Sequence, residues 1–230
     1  MDKPYGPVTK QAFVNFLEKD AGIRTDSIIE GAIELAEQVH SGLLREDRTS
    51  LFLETHTWPV AIDVVNHYRS HNRNITSIEV AAAILHDIME DDERILDLFH
   101  SKSYGFDAYL AYRFGIKIQE IASGLKIPPL DNYPGATEAD RQLARFQSYS
   151  ELLTASDYDI KAIKLADRLN NMAFISRIPG HEKVKRYLRE AEDFYIAYTM
   201  LTPKMPDYYF RMRTEYDNLR SLKTPISKTI

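Results

Sequence analysis

The sequence predicts an all-α protein, and three observations carry that prediction. Apolar residues recur at spacings of three and four along most of the 230 residues, which is the period of an amphipathic helix. We find no convincing run of the period-two alternation that marks a β-strand. The nine glycines and ten prolines fall mostly between the periodic segments. Because this length suffices for one large core, we expect a single bundle of about ten helices.

The predicted helices follow the apolar periodicity in chain order. Thr76 and Glu79 have the spacing of a capping box, which starts a helix, and Gly115 follows Phe114 where one helix stops and the next begins. The three prolines and one glycine within 126–137 predict a long loop. The predicted segments are 9–20, 26–43, 56–71, 77–90, 93–100, 105–113, 115–124, 138–154, 158–174, 181–201 and 206–221.

The composition excludes several classes of protein. Asp and Glu number 34 against 29 Lys and Arg, so the net charge of −5 removes the electrostatic case for general nucleic-acid binding. The absence of cysteine excludes thiol catalysis and thiolate metal sites. No apolar stretch approaches the roughly 20 residues of a membrane span. We therefore expect a cytoplasmic protein whose partners include neither nucleic acid nor membrane, and homo-oligomerisation stays open.

Four chemically active side chains follow an apolar segment near the middle of the chain: His86, Asp87, Glu90 and Asp91. On a continuous helix, His86 and Glu90 would be neighbours four residues apart, as would Asp87 and Asp91. Acids at the C-terminal end of a helix oppose its dipole, and such violations of local preference tend to mark function. The alternative is that the helix ends near Glu90 and that Asp91 or Asp92 only caps the next one.

A divalent metal ion is the natural partner of His86 and Asp87, because imidazole and carboxylate together suit first-row divalent ions. Two adjacent residues do not complete a site. His56 and Asp167 are candidates for the remaining ligands, although His56 alone reads equally as a capping or core histidine, and Asp167 alone as a surface charge. Together the four residues supply two imidazoles and two carboxylates.

Six motifs occur in a definite order along the chain. They are A-x-x-x-H with an Arg five residues later (Ala36, His40, Arg45), H-x-x-x-V-A (from His56), H-D-x-x-E-D (from His86), F-G-x-x-I-x-x-I-x-x-G-x-K (Phe114 to Lys126), K-L-A-D-R-L-x-N-M (Lys164 to Met172) and R-E-x-x-x-x-Y (from Arg189). Between Ala36 and Tyr198, the series resembles the HD superfamily of metal-dependent phosphohydrolases, and most closely the hydrolase domain of the Rel/Spo alarmone enzymes and the small stand-alone alarmone hydrolases. A lone H-D is weak evidence, whereas the third and fifth motifs together are specific.

The resemblance implies an activity and a set of site residues. One divalent ion, usually manganese in the family, would be held by His56, His86, Asp87 and Asp167, and Glu90 and Asp91 would carry the water chemistry. A divalent ion lowers the pKa of water and screens phosphate charge, and a nearby carboxylate can accept the proton. The family removes pyrophosphate from the 3′ position of guanosine 3′-diphosphate 5′-di- or triphosphate, the (p)ppGpp alarmones of the stringent response. On this basis we expect an HD-type domain over residues 1–205, with a C-terminal helix and tail over 206–230.

The resemblance also implies residues that bind the substrate: Arg45, Lys126, Asn171, Arg186 and Tyr195. Arg45 matches the family arginine that lies against the base, and Asn171 matches the asparagine beside the nucleoside. Arg186 and Tyr195 lie on the last family helix and would reach the 5′ end. Lys126 follows the glycine of its motif, and both Lys126 and Arg186 read equally well as solvated surface cations.

Two positions depart from the family pattern. Glu46 follows Arg45 where the family often has a second basic residue, which leaves the 5′-phosphate contact open, with Arg48 as a substitute. Asn170 stands where a histidine usually precedes Asn171. Neither departure removes a predicted metal ligand.

One histidine pair falls outside the motifs. His67 and His71 lie four residues apart, a spacing that is able to chelate a metal on a helix. Because they match nothing in the family pattern, we interpret them as part of an ordinary amphipathic helix.

Several functions remain open beside (p)ppGpp hydrolysis. Another HD phosphohydrolase would act on adenosine analogues of the alarmone, NADPH or a 5′-nucleotide, and Glu46 leaves the choice of base undecided. The non-enzymatic alternative is a nucleotide-binding regulatory module that has lost turnover. Its sequence signature would be a missing ligand or a missing Glu90–Asp91 pair, and all six residues are present.

Overall fold

A computed structural model describes residues 6–90, 105–178, 180–202 and 205–222. These residues form helices and loops without a sheet, and Leu44 and Leu51 make one isolated antiparallel bridge. The all-α prediction is confirmed. The helices are α1 (Lys10–Asn15), α2 (Ser27–His40), α3 (Trp58–Ser70), α4 (Ser77–Ile84), α5 (Phe106–Phe114), α6 (Ile116–Leu125), α7 (Glu138–Ala155), α8 (Tyr158–Ile175), α9 (Lys183–Glu190), α10 (Ile196–Leu201) and α11 (Pro206–Ser221).

Short turns of other helical types extend several of these helices. Wider π-helical turns follow α1 at Phe16–Asp20, precede α3 at Leu53–Thr57 and join α9 to α10 at Ala191–Tyr195. In the second of these turns the N–H of Trp58 donates to the carbonyl of Leu53, five residues earlier. The predicted helix 56–71 therefore begins three residues earlier than expected, and His56 lies in the π-helical turn.

The predicted local signals at two helix ends are confirmed. At the start of α4, the N–H of Thr76 donates to Oε2 of Glu79 at 2.7 Å, which completes the capping box. Gly115 separates α5 from α6 with φ +92°, a conformation that glycine adopts without strain. The predicted loop 126–137 contains a single 3-10 turn, Leu130–Asn132. The predicted helix 93–100 lies outside the described residues.

The prediction of one helix over 77–90 is wrong at its C-terminal end. Helix α4 stops at Ile84, and a turn leads into the 3-10 turn Ile88–Glu90. The physical reason is a side-chain cap: Nδ1 of His86 lies 2.8 Å from the carbonyl oxygen of Ala83 and satisfies the helix end. His86 and Asp87 are therefore not on an α-helix, and the helical neighbour argument that linked them to Glu90 and Asp91 does not hold.

Helix α8 lies at the centre of the bundle. It contacts α3, α6, α7, α9 and α11, and also the π-helical turn before α3. Apolar residues such as Leu165, Ala166 and Leu169 are fully buried on it, as are Val60 and Val64 on α3. The adjacency of α8 and the π-helical turn brings the K-L-A-D-R motif beside His56.

Helix α11 packs on the same bundle, against α8 and α9. Tyr208, Met212 and Leu219 are buried on this helix, and the hydroxyl of Tyr208 donates to the carbonyl of Ala162 at 3.0 Å. None of the helices in the described parts of the chain is both long enough and apolar enough to cross a bilayer.

Candidate functional site

Four of the predicted ligands converge at one point. His56 comes from the π-helical turn, His86 and Asp87 from the turn after α4, and Asp167 from the middle of α8. Their ligand atoms all lie within 4.8 Å of one another. The Nε2 atoms of the two histidines are 3.1 Å apart, and Oδ2 of Asp87 lies 2.8 Å from Nε2 of His56 and 3.1 Å from Nε2 of His86.

The opposite ring nitrogen of each histidine is committed to an oxygen acceptor. Nδ1 of His86 donates to the carbonyl of Ala83 at 2.8 Å, and Nδ1 of His56 lies 2.8 Å from Oδ1 of Asn170. In each neutral ring, Nε2 therefore keeps its lone pair and directs it at the shared point. Outer hydrogen bonds of this kind orient metal-binding histidines.

The orientation of Asn170 follows from its other partner. Arg45 is buried, and its Nη1 donates to Oδ1 of Asn170 at 2.6 Å. Since a guanidinium group can only donate, the amide oxygen of Asn170 must face Arg45, and His56 Nδ1 must then carry the hydrogen. The side chain Nδ2 of Asn170 completes the arrangement by donating to the carbonyl of Thr55 at 3.1 Å.

The charges around this point favour ionised carboxylates. Burial alone would raise the pKa of Asp87, but the adjacent His86 and His56 hold it well below its usual range. Burial alone would lower the pKa of His86, and the charge and hydrogen bond of Asp87 raise it instead. Asp167 is held by Asn171, whose Nδ2 donates to its Oδ1 at 2.6 Å, and by the ammonium of Lys164 at 3.6 Å.

The donor set fits a first-row divalent cation. Two imidazole nitrogens and two carboxylates converge, and a tetrahedral site with bonds of about 2.0–2.1 Å places its ligand atoms about 3.3–3.5 Å apart. The separations between Nε2 of His56 and its three neighbours are 2.8, 3.1 and 3.5 Å, so the longest matches this spacing and the other two are 0.2–0.5 Å shorter than its lower limit. Two imidazole lone pairs that face each other are unfavourable unless a proton or a cation lies between them, so the geometry calls for a positive centre.

A cavity of about 460 Å³ opens directly onto these ligands. His56, Asp87 and Asp167 form one end of its wall. Among apolar, aromatic and amide side chains, the rest of the wall carries two acids, Glu46 and Glu190, and six cations, namely Lys126, Arg145, Lys164, Arg168, Lys183 and Arg186. The acidic centre is therefore continuous with a basic chamber, which suits a ligand that carries several phosphates.

The predicted substrate residues lie in different places. Lys126, Asn171 and Arg186 line the 460 Å³ cavity. Arg45 and Asn171 line a neighbouring cavity of about 510 Å³ on the other side of the Lys183 and Glu46 ion pair. Tyr195 is fully buried and lines neither cavity.

Arg45 and Tyr195 both make internal contacts that the sequence does not reveal. The guanidinium of Arg45 stacks on Phe174 at 3.8 Å from the ring centroid, and its Nη2 donates to Oδ1 of Asn171 at 2.7 Å. The ring of Tyr195 packs against the guanidinium of Arg168 at 4.8 Å. Arg168 in turn donates to Glu190 at 2.6 Å, and both of these residues line the cavity. Tyr195 therefore supports the cavity wall through Arg168 without lining the cavity itself.

The departure at Glu46 has a partner that sequence reasoning missed. Lys183 at the start of α9 donates to Oε1 of Glu46 at 2.6 Å. Burial alone would raise the pKa of Glu46, but the hydrogen bond from Lys183 and the charges of Lys183 and Arg45 lower it to about 2. This ion pair sits on the wall between the two cavities.

Other residues of the site were also missed. Asn170 appeared in the sequence only as a departure from a motif, and Arg145 and Lys183 lie in no motif. Lys164 had a usable signal, because it precedes Asp167 by three residues and therefore shares its helix face. Of the two predicted catalytic acids, Glu90 ends the 3-10 turn Ile88–Glu90, and Asp91 lies outside the described residues.

Comparison with known proteins gives one family and several relatives. A family model described as "HD domain" matches residues 32–197. The chain is 26% identical over 232 residues to "GTP pyrophosphokinase" of Streptomyces coelicolor, covering 92% of this chain and 24% of that protein. It is 30% identical over 166 residues to "Probable GTP pyrophosphokinase" of Mycobacterium leprae, covering 71% of this chain and 18% of that protein. It is 24% identical over 161 residues to "Putative GTP diphosphokinase RSH1, chloroplastic" of Oryza sativa, covering 68% of this chain and 16% of that protein. The chain thus spans a quarter or less of these relatives.

Proposed function

Because this chain belongs to the HD-domain family, we propose that it is a pyrophosphohydrolase that removes the 3′-diphosphate from (p)ppGpp. HD domains bind a divalent metal, and this one is related to the Rel/Spo enzymes. The observation that carries the proposal is the continuity of two features. Three members of the cluster of two histidines and two aspartates, His56, Asp87 and Asp167, line a cavity whose wall also carries six cations. A substrate with phosphates at two positions needs both features at once.

The names of the relatives support a guanine nucleotide. All three are named as kinases that act on GTP. A pyrophosphohydrolase has the opposite effect, since it removes the pyrophosphoryl group that a pyrophosphokinase adds. This chain covers only a small share of each relative. We therefore propose a reaction for this domain alone and not the reaction of those whole proteins.

We propose Mn²⁺ as the metal, held by His56, His86, Asp87 and Asp167. When bound, a divalent ion supplies Lewis acidity, which lowers the pKa of water and neutralises phosphate charge. The chain itself fixes the ligands: Ala83 and Asn170 hold the two imidazole rings, while Asn171 and Lys164 hold the carboxylate of Asp167.

We assign the proton-accepting role to Glu90 and Asp91, as in the family motif. A carboxylate near the reacting water accepts its proton, and attack in line with the departing 3′-oxygen then breaks the bond between phosphorus and that oxygen. The cavity cations position the phosphates for this attack. Lys164 contacts the candidate ligand Asp167 directly, and Lys126, Arg145 and Arg186 line the same cavity.

The neighbouring cavity is our proposed site for the base. Arg45 and Asn171 line it, and Asn171 also contacts Asp167, so one residue connects the base region with the metal ligands. Glu46 and Lys183 form a charged partition between this region and the phosphate chamber. Since Glu46 is already paired with Lys183, it leaves the other chamber cations available to the 5′ phosphates.

A product assay tests the proposal. The purified chain is incubated with Mn²⁺ and one nucleotide at a time: ppGpp, pppGpp, the adenosine analogue ppApp, GTP or NADPH. The released products are separated by ion exchange. We expect pyrophosphate and GDP or GTP from the two guanosine alarmones, and no turnover after metal removal with EDTA. Asp87→Asn should abolish turnover, whereas Asp217→Asn, an exposed site on α11, should not.

Other outcomes of this assay have distinct meanings. Preferential release from ppApp or NADPH would replace the guanosine substrate but keep the phosphohydrolase. Nucleotide binding with no release from any of these compounds would favour a regulatory binding module. Full turnover in metal-free protein would refute the proposed mechanism.

A further inference from the structure

We propose a second divalent-cation site, formed by His67, His71 and Asp207. His67 lies on α3, His71 directly follows it, and Asp207 is the second residue of α11. Nδ1 of His67 is 3.0 and 3.1 Å from the two carboxylate oxygens of Asp207, and Nε2 of His71 is 3.5 Å from one of them. The three ligand atoms lie within 4.8 Å of one another, as in the first cluster.

The tautomer of His71 favours a cation. Its Nδ1 lies 2.9 Å from the backbone carbonyl of His67, which can only accept, so Nδ1 donates to it. In the neutral ring, Nε2 then directs a lone pair at the carboxylate of Asp207. Two acceptors that face each other need a proton or a metal ion between them.

The surroundings of His67 supply the second support. Its ring is buried, and Nε2 lies 2.7 Å from the hydroxyl of Tyr158 at the start of α8. A tyrosine hydroxyl can both accept and donate, so His67 can hold its hydrogen on Nε2 and offer the Nδ1 lone pair toward Asp207. Tyr158 thus plays the orienting part that Asn170 plays for His56.

A carboxylate oxygen without a hydrogen-bond partner lies one helical turn away. Asp63 precedes His67 by four residues on α3 and pairs through Oδ1 with Arg211 of α11 at 2.6 Å. Its other oxygen, Oδ2, is buried and has no hydrogen-bond partner among the described residues. A buried oxygen of this kind is unfavourable without a donor or a cation nearby, so it is consistent with a cation in this region.

The three donor groups indicate which class of ion would bind, and their positions on α3 and α11 indicate what the ion would do. Two imidazoles with one carboxylate suit a first-row ion such as Zn²⁺, and the partly exposed His71 and Asp207 leave a coordination position for water. His67 and His71 lie inside the stretch that matches the HD-domain model, and Asp207 lies outside it. We therefore assign the site a structural role, a metal clip that fastens the C-terminal helix to α3.

Metal stoichiometry of the full chain, with any affinity tag removed, tests the site. After dialysis against Zn²⁺, we expect two ions per wild-type chain by mass spectrometry and by calorimetric titration. His71→Gln and Asp207→Asn should each retain one ion, while Asp217→Asn, the same replacement farther along α11, should retain two. One ion in the wild type, or two in both His71→Gln and Asp207→Asn, would refute the site, and the three residues would then be joined by hydrogen bonds alone.

A second background separates this proposal from the first site. The double variant Asp87→Asn/Asp167→Asn keeps all three residues of the clip and should still bind one Zn²⁺. In that background, Zn²⁺ should raise the Tm by roughly 3–5 °C and slow amide exchange in the first turn of α11, and adding His71→Gln should remove both effects. A double variant that binds no Zn²⁺ while remaining folded would contradict the clip, whatever the outcome of the hydrolysis assays.

Discussion

Helix α3 has a histidine–aspartate cluster at each end, and the two clusters differ in what surrounds them. The first, which contains His56 just before the helix, opens onto a 460 Å³ cavity with a cationic wall. The second, which contains His67 and His71, is bordered by tyrosine rings. The ring centroids of Tyr208 and Tyr158 lie 4.4 and 5.7 Å from the ring centroid of His67. The ligand chemistry is nearly the same. The difference is the reason we propose the reaction centre at the first cluster, since only there do space and opposite charge for a phosphorylated substrate adjoin the candidate ligands.

The largest expected effect distinguishes the two clusters by activity. Asp87→Asn should reduce pyrophosphate release by at least about a thousandfold, because it removes a ligand and with it the activation of water. His71→Gln, at the other end of α3, should leave the rate unchanged within about twofold. Initial rates at saturating Mn²⁺ measure both. Equal losses in the two variants would mean that the clusters are not functionally separate.

The next prediction concerns the orientation of His56. Asn170→Leu should weaken divalent-metal binding at the first cluster by about 10–100-fold, because His56 loses the acceptor that fixes its tautomer. Asn170→Asp keeps an acceptor oxygen for both His56 and Arg45 and should retain most of the affinity. Calorimetric titration compares the two variants. If Asn170→Leu bound metal as the wild type does, the hydrogen bond at His56 would have no orienting role.

A smaller effect is expected in the chamber that only the first cluster adjoins. Lys183→Ala should raise KM for ppGpp about tenfold with little change in kcat, since it leaves the carboxylate of Glu46 unpaired on the chamber wall, where it repels the phosphates and weakens binding rather than chemistry. Lys185→Ala on the same helix does not alter this cavity and serves as the control. A fall in kcat at unchanged KM would place Lys183 in the chemical step instead.

The smallest effect is a pH dependence of stability. The pKa of Glu46 is about 2 in the folded protein against an ordinary value of 4.5, so its ionised form stabilises the fold. This contribution, about 1–2 kcal/mol after allowing for solvent screening, is present above pH 4.5 and is lost as the pH falls toward 2. The difference in unfolding free energy between the wild type and Glu46→Gln, measured with urea, should be full at pH 6, be roughly halved near pH 3 and vanish only near pH 2. A constant difference over that range would mean that the Lys183 ion pair is not its source.

The sequence predicted which side chains meet in the first cluster better than why they meet there. His56, His86, Asp87 and Asp167 do converge, but the helical spacing offered for His86 and Asp87 is wrong. The reason is local: the ring of His86 caps α4, and no propensity pattern reports that a side chain will end its own helix. The motif order was therefore a better guide than the periodicity at this point.

Contacts between distant parts of the chain were beyond sequence reasoning. Arg45 meets Asn170 across 125 positions, and His67 meets Asp207 across 140. The spacing of His67 and His71 was visible, but the carboxylate that completes the cluster comes from a helix with no family motif. Contacts of this kind depend on how α3, α8 and α11 pack together, whereas apolar periodicity predicts only which face of each helix is buried.

The π-helical turn at Leu53–Thr57 makes the first cluster sensitive to chain length. Such a turn accommodates one residue more than an α-helical turn of the same reach. Deleting one residue there, for example Glu54, would let the segment relax into ordinary helix without disturbing the packing of α3. The imidazole of His56 would then shift around the helix axis by part of the roughly 100° that separates successive residues. A chain shortened by one residue at this turn would therefore keep the helix bundle and move His56 away from the other three side chains of the cluster.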